Sequence, residues 1–182
     1  MRLIPKHLIP EVVEAFRHQQ YGGGIHDIKV IRLQRFSDDQ GSLTELARFN
    51  DAGCLEGFTA LKPLQINYST LQPGVTKAFH LHAEQREAWF VPPEDRILLV
   101  LVDVRDDSPT ARRVMRVLLG DGNSMLVSIP PGVAHGFKNV GSQVARVIYL
   151  TNRHFSADPE TTDEGRLPWD MVGAEIWEPP KD

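Results

Sequence analysis

The chain lacks three features that would point to particular protein classes: a second cysteine, a long apolar run and a cluster of basic residues. Its one cysteine, Cys54, cannot form an internal disulfide, which is typical of the reducing cytoplasm. The longest apolar run, residues 97–102, is far short of the roughly 20 residues that span a bilayer. With 20 basic and 24 acidic residues and a net charge of -4, no basic patch stands out. We therefore expect a cytoplasmic protein without a nucleic-acid or membrane partner.

Helical periodicity is also scarce, and the chain of 182 residues has the length of one domain. The exception is residues 11–20, which follow Pro10 and carry acidic residues early, as the first turn of a helix does. Three glycines at 22–24 then interrupt the pattern. The sequence predicts an N-terminal helical arm over residues 1–24 and a single domain over residues 25–182.

What the sequence does contain is a series of short apolar or alternating runs between turn-forming Gly, Pro, Asp and Asn residues. About nine strands with tight connections predict an all-β sandwich or barrel. The polar tail at 158–170 is expected to be a loop that closes over a sheet edge or the mouth of the barrel. The predicted strands cover 27–33, 43–49, 64–71, 76–82, 87–91, 96–104, 112–119, 124–129 and 145–151.

Two blocks of the sequence contain side chains that can bind a metal or transfer a proton. His80 and His82 are two apart on a predicted strand and so point to the same face, and Glu87 follows after a turn. Later, the turn at 130–132 leads to His135. Three imidazoles and one carboxylate suit a divalent first-row metal, and the spacing does not choose between Fe, Mn, Zn, Ni and Co. The alternative is a polar barrel mouth whose histidines are hydrogen-bonded without a metal.

The spacing of these blocks, with Gly74 before the first and Asn139 after the second, resembles the two cupin motifs. A cupin is a double-stranded β-helix, or jelly roll, in which both motifs converge inside the barrel. The resemblance implies a metal site made by His80, His82, Glu87 and His135.

A longer resemblance runs from about residue 38 to residue 177. Blocks such as "DDQGSLTE", "GVTKAFHLH" and "VIYLTNRHFSADPETTDEGRLPWD" are similar to the dTDP-4-dehydrorhamnose 3,5-epimerases, the RmlC-like family. That family moves protons at carbons beside the ketone of a nucleotide-linked 4-keto-6-deoxyhexose, and its members are usually homodimers. The resemblance implies His80 as the catalytic base and Tyr149 as a pocket hydroxyl that can take part in proton transfer. The other implied pocket residues are Glu45, Gln65, Asn67, Lys77 and His135.

The chain departs from that family at several positions. Lys77 and Gln40 stand where the family has arginines, and Glu87 falls near a lysine that stabilises the enolate. The acid tyrosine aligns with Phe155, and the terminal segment that supplies a carboxylate to the base has no counterpart. Conversely, His82 and Glu87 are the two residues that restore the cupin metal motif.

Three hypotheses follow. The first is a nucleotide-sugar epimerase whose metal polarises the ketone in place of the lysine; metal-bound His80 would then leave the proton to another group, such as Tyr68 or Tyr149. The second is a metal-dependent cupin of another class: a dioxygenase, a decarboxylase or a sugar isomerase. The third is a cupin that binds a sugar or a metal without catalysis.

Overall fold

Strands dominate the computed structural model, which describes Pro10, residues 23–58 and residues 60–179. The predicted helical arm over residues 1–24 therefore lies almost entirely outside the described residues. Within the described ranges, no helix is long and apolar enough to cross a membrane.

Twelve strands and one short 3-10 helix at Ala174–Trp177 make up the regular structure of the described residues. The strands are β1 (Val30–Arg32), β2 (Arg35–Asp38), β3 (Gly41–Thr44), β4 (Gln65–Leu71), β5 (Thr76–His82), β6 (Glu87–Phe90), β7 (Arg96–Asp103), β8 (Val114–Gly120), β9 (Met125–Ile129), β10 (Val133–Asn139), β11 (Ala145–Thr151) and β12 (Glu164–Arg166).

Ten of the strands form two five-stranded antiparallel sheets. Sheet I has the order β1-β9-β6-β11-β4, and sheet II has the order β12-β5-β10-β7-β8. One buried cluster joins Trp89, Val127 and Val147 of sheet I to Leu99 and Phe137 of sheet II. The main core therefore lies between the two sheets, and the predicted all-β jelly roll is confirmed.

Strand β7 shows why one strand can be apolar on both faces. Its odd-numbered residues from 97 to 101 enter the core between the sheets, and its even-numbered residues from 98 to 102 form a second buried cluster with Trp177. Because the 3-10 helix covers the outer face of sheet II, the strand has no solvated side. The apolar run in the sequence is thus a central strand covered on both faces.

Two predictions about secondary structure need correction. The strand predicted over 43–49 ends at Thr44, because the residues after it form a loop whose Leu46 and Ala47 pack against the core. The tail predicted as loop contains β12, which pairs with the outer edge of β5. Only three residues long, β12 is held by that edge rather than by any periodicity of its own.

Candidate active site

A cavity of about 270 Å³ opens between the sheets, a volume near the lower end of the range for small-molecule sites. Sheet I forms one wall and sheet II the other, with the loop at 154–156 and the tail at 162–166 around the mouth. Eight of the nine residues predicted for the site line this cavity: Gln65, Asn67, Lys77, His80, His82, Glu87, His135 and Tyr149.

The ninth, Glu45, does not line the cavity of the single chain. It lies in the loop after β3, where its carboxylate accepts a hydrogen bond from Arg48 at 2.7 Å. Glu45 can therefore take the substrate role that the resemblance implies only if it reaches the cavity of a second copy of the chain.

Strand β4 supplies polar side chains to the sheet I wall. Its alternation turns Gln65 and Asn67 inwards, and the Gln65 amide donates to the Asn67 side chain at 2.6 Å. The backbone N–H of Phe155 donates to Gln65 Oε1 at 3.0 Å, which anchors the mouth loop. The same alternation turns Tyr68 outwards, where it is 64% exposed. Tyr68 is therefore not a proton acceptor in this cavity.

Strand β5 carries three of the predicted site residues, Lys77, His80 and His82, and an irregularity decides which side chains face the cavity. His80 pairs with His135, whereas Lys77 pairs with Phe137, so β5 has one more residue than β10 between the two pairs. Such a bulge reverses the alternation locally. Lys77 and His80 therefore both line the cavity, although they are three residues apart.

The turn predicted before His135 is present. Gly132 has φ +73, a value that glycine adopts without strain, and its N–H donates to the His82 carbonyl at 2.9 Å. This hydrogen bond ties the start of β10 to the end of β5. It brings the second motif block beside the first, as their pairing requires.

His80 lies in a hydrogen-bonded chain made by β12. Its Nδ1 lies 3.0 Å from Glu164 Oε1, and Arg166 donates to its Nε2 at 2.8 Å. Because a guanidinium can only donate, Nε2 must be the acceptor, and the proton of the neutral ring sits on Nδ1 facing the carboxylate. The Glu164 carboxylate thus stands at the Nδ1 side of the His80 ring.

The surroundings of His80 keep it unprotonated near neutral pH. Burial, followed by the charges of His135 and Arg166, lowers the pKa of His80 to about 4, against the opposing pull of Glu164 and Glu87. A neutral imidazole whose Nε2 is unprotonated is the form that can remove a proton from carbon.

His82 points away from the contacts of His80 with Glu164 and Arg166 and into a buried network. Its Nδ1 donates to the backbone oxygen of Asp163 at 3.1 Å, and its Nε2 faces the Gln85 amide at 3.3 Å. The same amide donates to Glu87 Oε1 at 2.8 Å. Gln85 therefore bridges His82 and Glu87 with the two hydrogens of one NH2 group.

Glu87 is the centre of the network and is only 3% exposed. Its Oε2 accepts from the Trp89 indole at 2.7 Å and lies 3.2 Å from His135 Nε2. His135 Nδ1 lies 3.2 Å from the Val133 carbonyl, so each ring nitrogen of His135 has an acceptor beside it. Burial opposes the charge on Glu87, but His135, His82 and Trp89 together hold the pKa of Glu87 near 2.

These contacts bear directly on the predicted metal. Ligand atoms of His82, Glu87 and His135 lie within 4.8 Å of one another, but His80 is not part of that group. Without an ion, Glu87 accepts from Gln85 and Trp89 and faces His135, and His82 Nε2 faces the Gln85 amide. Three of the four predicted ligands therefore come together in a group that could hold an ion, and His80 is not one of them.

Tyr149 stands on the sheet I wall, whereas His80 stands on the sheet II wall. Burial, together with the charges of Glu87 and Glu164, raises the pKa of Tyr149, so its phenol keeps its proton near neutral pH. Its ring packs beside Trp89 at a centroid distance of 5.5 Å. Phe155, where the resemblance places the acid tyrosine, is exposed at the mouth. Tyr149 thus offers the hydroxyl that Phe155 lacks.

Four residues of the site were missed by sequence reasoning: Gln85, Asp163, Glu164 and Arg166. Asp163 accepts backbone hydrogen bonds from three consecutive residues of the β5–β6 turn, 83–85, which fixes that turn against the tail. Glu164 and Arg166 are charged residues two apart, a strand-like signal in a segment that was predicted as loop. That pair was the available clue, since it places two charges on one face of an edge strand.

Known proteins resemble this chain over most of its length. A sequence model described as dTDP-4-dehydrorhamnose 3,5-epimerase matches residues 23–172. The spore coat polysaccharide biosynthesis protein SpsL of Bacillus subtilis is 40% identical over 146 residues, which cover 80% of this chain and 91% of that protein. The probable low-salt glycan biosynthesis epimerase Agl13 of Haloferax volcanii is 37% identical over 147 residues, 80% of this chain and 89% of that protein.

A solved structure agrees with the sequence matches. The epimerase RmlC of Legionella pneumophila, determined in complex with dTDP-4-keto-L-rhamnose, superimposes with a TM-score of 0.70 at 26% identity. The alignment covers 86% of this chain and 81% of that one.

Proposed function

The chain belongs to the dTDP-4-dehydrorhamnose 3,5-epimerase family, and on that premise we propose that it epimerises a nucleotide-linked 4-keto-6-deoxyhexose with His80 as the base. The observation that carries the proposal is the His80–Glu164 pair, with Nδ1 of the imidazole 3.0 Å from the carboxylate. The nucleotide sugar seen in the Legionella relative supports the substrate class.

The first half of the reaction removes a proton from a carbon beside the ketone. Nε2 of His80 accepts that proton, and the imidazolium that forms keeps its Nδ1–H on Glu164. A carboxylate in this position stabilises the charged ring and fixes its orientation. The electron pair left on carbon moves towards the ketone oxygen to give an enolate.

The second half returns a proton from the opposite face. Tyr149 lies on the opposite wall of the cavity from His80 and keeps its phenolic proton near neutral pH. Removal by His80 and delivery by Tyr149 together invert the carbon. Exchange with solvent then restores both groups for the next turnover.

No metal takes part in this proposal. The His82–Glu87–His135 cluster is bonded internally through Gln85 and Trp89, and the base His80 lies outside it. The cluster instead serves as a buried support behind the cavity, in which Glu87 holds His135 in place. The dioxygenase and decarboxylase alternatives both require a metal ion, so a reaction without one does not support them.

The decisive experiment is solvent exchange. In D2O, the wild-type protein should incorporate deuterium beside the ketone of a dTDP-4-keto-6-deoxyhexose, followed by NMR or mass spectrometry. His80→Asn should lower the rate by about 10³-fold, and Tyr68→Phe, which changes an outward hydroxyl, should leave it unchanged. If the wild-type protein exchanges deuterium into none of a panel of nucleotide-linked 4-keto sugars, the proposal is wrong and a binding role is favoured.

We also propose that the protein is a homodimer formed through the β2–β3 hairpin. Among the described residues this hairpin is bonded to neither five-stranded sheet, yet Phe36 is 60% and Leu43 is 69% exposed. The edge strand β4 turns Ile66 outwards, also 65% exposed. A hairpin that docks on the partner's β4 would cover these apolar side chains and carry Glu45 towards the partner's cavity.

Light scattering coupled to size exclusion tests the dimer. Leu43→Asp should shift the protein towards monomer, whereas Leu118→Asp, on β8 at the far edge of sheet II, should not. A wild-type monomer at micromolar concentration would contradict the proposal.

The single cysteine, Cys54, supports the further proposal that the protein works in the reducing cytoplasm.

A further inference from the structure

An epimerase of this kind needs a cation or a donor at the ketone oxygen, where negative charge develops in the transition state. The family lysine expected for that task is replaced by Glu87, which is buried and acidic. His82 and His135 do not replace it, because both ring nitrogens of His135 and Nδ1 of His82 already face acceptors. Among the described residues that line the cavity, the remaining permanent cations are Lys77 and Arg166.

Arg166 is the one that reaches the base. It pairs with His80 in the β12–β5 register, its Nη1 lies 2.8 Å from His80 Nε2, and its Nη2 lies 2.7 Å from Glu164 Oε1. Lys77 lies opposite Phe137, beyond the bulge, and is exposed. The guanidinium therefore stands at the nitrogen that the substrate must approach.

The chemistry requires a donor at this place. The proton that His80 removes and the oxygen that gains charge belong to adjacent carbons, so the oxygen of a bound sugar must lie beside Nε2. A guanidinium has five N–H donors, and the contacts to His80 and Glu164 leave others free. The Arg166 side chain is 60% exposed, so it has room to turn while Glu164 holds it near the base.

We propose that Arg166 is a catalytic residue whose guanidinium moves from His80 Nε2 to the ketone oxygen when the sugar binds and stabilises the enolate. The C–H electron pair becomes the new carbon–carbon π bond, the carbonyl π pair moves to oxygen beside Arg166, and the proton goes to His80. Tyr149 then protonates the carbon as the oxygen returns its pair. The inference rests on the proposed epimerase function.

The test measures kcat and KM for deuterium exchange in Arg166→Gln and Arg166→Lys. Arg166→Gln should lower kcat by about 10²- to 10³-fold with little change in KM, the effect of removing one oxyanion donor. Arg166→Lys, which keeps the charge, should recover part of the loss, and added methylguanidinium should restore exchange in Arg166→Ala. Arg116→Gln, outside the cavity, is the matched control.

Each other outcome overturns the inference. A kcat within about threefold of wild type, or a raised KM at constant kcat, would make Arg166 a structural or phosphate-binding residue. Thermal unfolding shows whether a variant is folded. If Arg166→Gln is unfolded, the kcat of Arg166→Lys and the rescue of Arg166→Ala by methylguanidinium decide the question instead. A wild-type protein without exchange would fail the epimerase proposal and this one together, whereas an active wild type with an equally active Arg166→Gln fails this one alone.

Discussion

Nδ1 of His80 lies 3.0 Å from Glu164 Oε1, so a residue of the last described strand orients the proposed base on β5. Removing the charge of Glu164 should therefore impair the reaction without removing the base. Glu164→Gln should lower kcat by about 10²-fold, because the imidazolium formed on His80 loses its counter-ion. Steady-state exchange kinetics measure the effect.

Glu160→Gln is the control for that variant, since Glu160 precedes β12 and is exposed. It should retain wild-type kcat. If Glu164→Gln were also fully active, the pairing of Glu164 with His80 would have no catalytic role.

The pH dependence follows from the lowered pKa of His80. The base is active only when unprotonated, so kcat/KM should stay high as pH falls below the usual histidine range and decline only near pH 4. The measurement is the pH profile of kcat/KM for exchange, in buffers of constant ionic strength. An acidic limb near 6.5, the ordinary pKa of histidine, would show that burial, His135 and Arg166 do not depress the pKa of His80 in solution.

Glu87 should contribute to stability rather than to proton transfer. Glu87→Gln leaves buried His135 without its counter-ion and should lower the free energy of unfolding by about 3 kcal/mol, measured by urea denaturation near neutral pH. Glu94→Gln, at an exposed carboxylate, should change it little.

The same carboxylate gives a pH signature. The folded-state pKa of Glu87 is about 2, below the ordinary glutamate pKa of 4.5, so its stabilising charge is fully present above pH 4.5 and is lost as pH falls towards 2. The wild type should therefore lose stability over that interval, and Glu87→Gln should lose less. Equal acid sensitivity of the two proteins would contradict the ion pair with His135.

Metal analysis tests the internally bonded cluster. Protein purified without added metal should contain far less than one equivalent of Fe, Mn, Zn, Ni or Co by mass spectrometry, and EDTA should leave exchange unaffected. His82→Gln should change neither result. Stoichiometric metal that disappears in His82→Gln would restore the metal-assisted hypothesis.

Much of the fold was predictable because strand periodicity and turn residues are local signals. The strand predicted over 76–82 coincides with β5, and the one over 145–151 coincides with β11. The alternation of β4 also predicts that Gln65 and Tyr68 lie on opposite faces, but only the position of the sheets tells which face lines the cavity. By contrast, β12 is too short to carry a period of its own, so its pairing with β5 was not visible in the chain.

The sequence by itself determined an all-β sandwich or barrel, through strand periodicity and turn residues, and its resemblance to the family implied the jelly roll and the eight residues that meet in the cavity. Only the tertiary structure decided what those residues do. Gln85 and Trp89 donate to Glu87 within the His82–Glu87–His135 cluster, from which His80 is absent. Glu164 and Arg166 reach His80 through an edge pairing between segments more than 80 residues apart. Hydrogen-bond partners at that separation depend on how strands assemble, and spacing along the chain does not encode them.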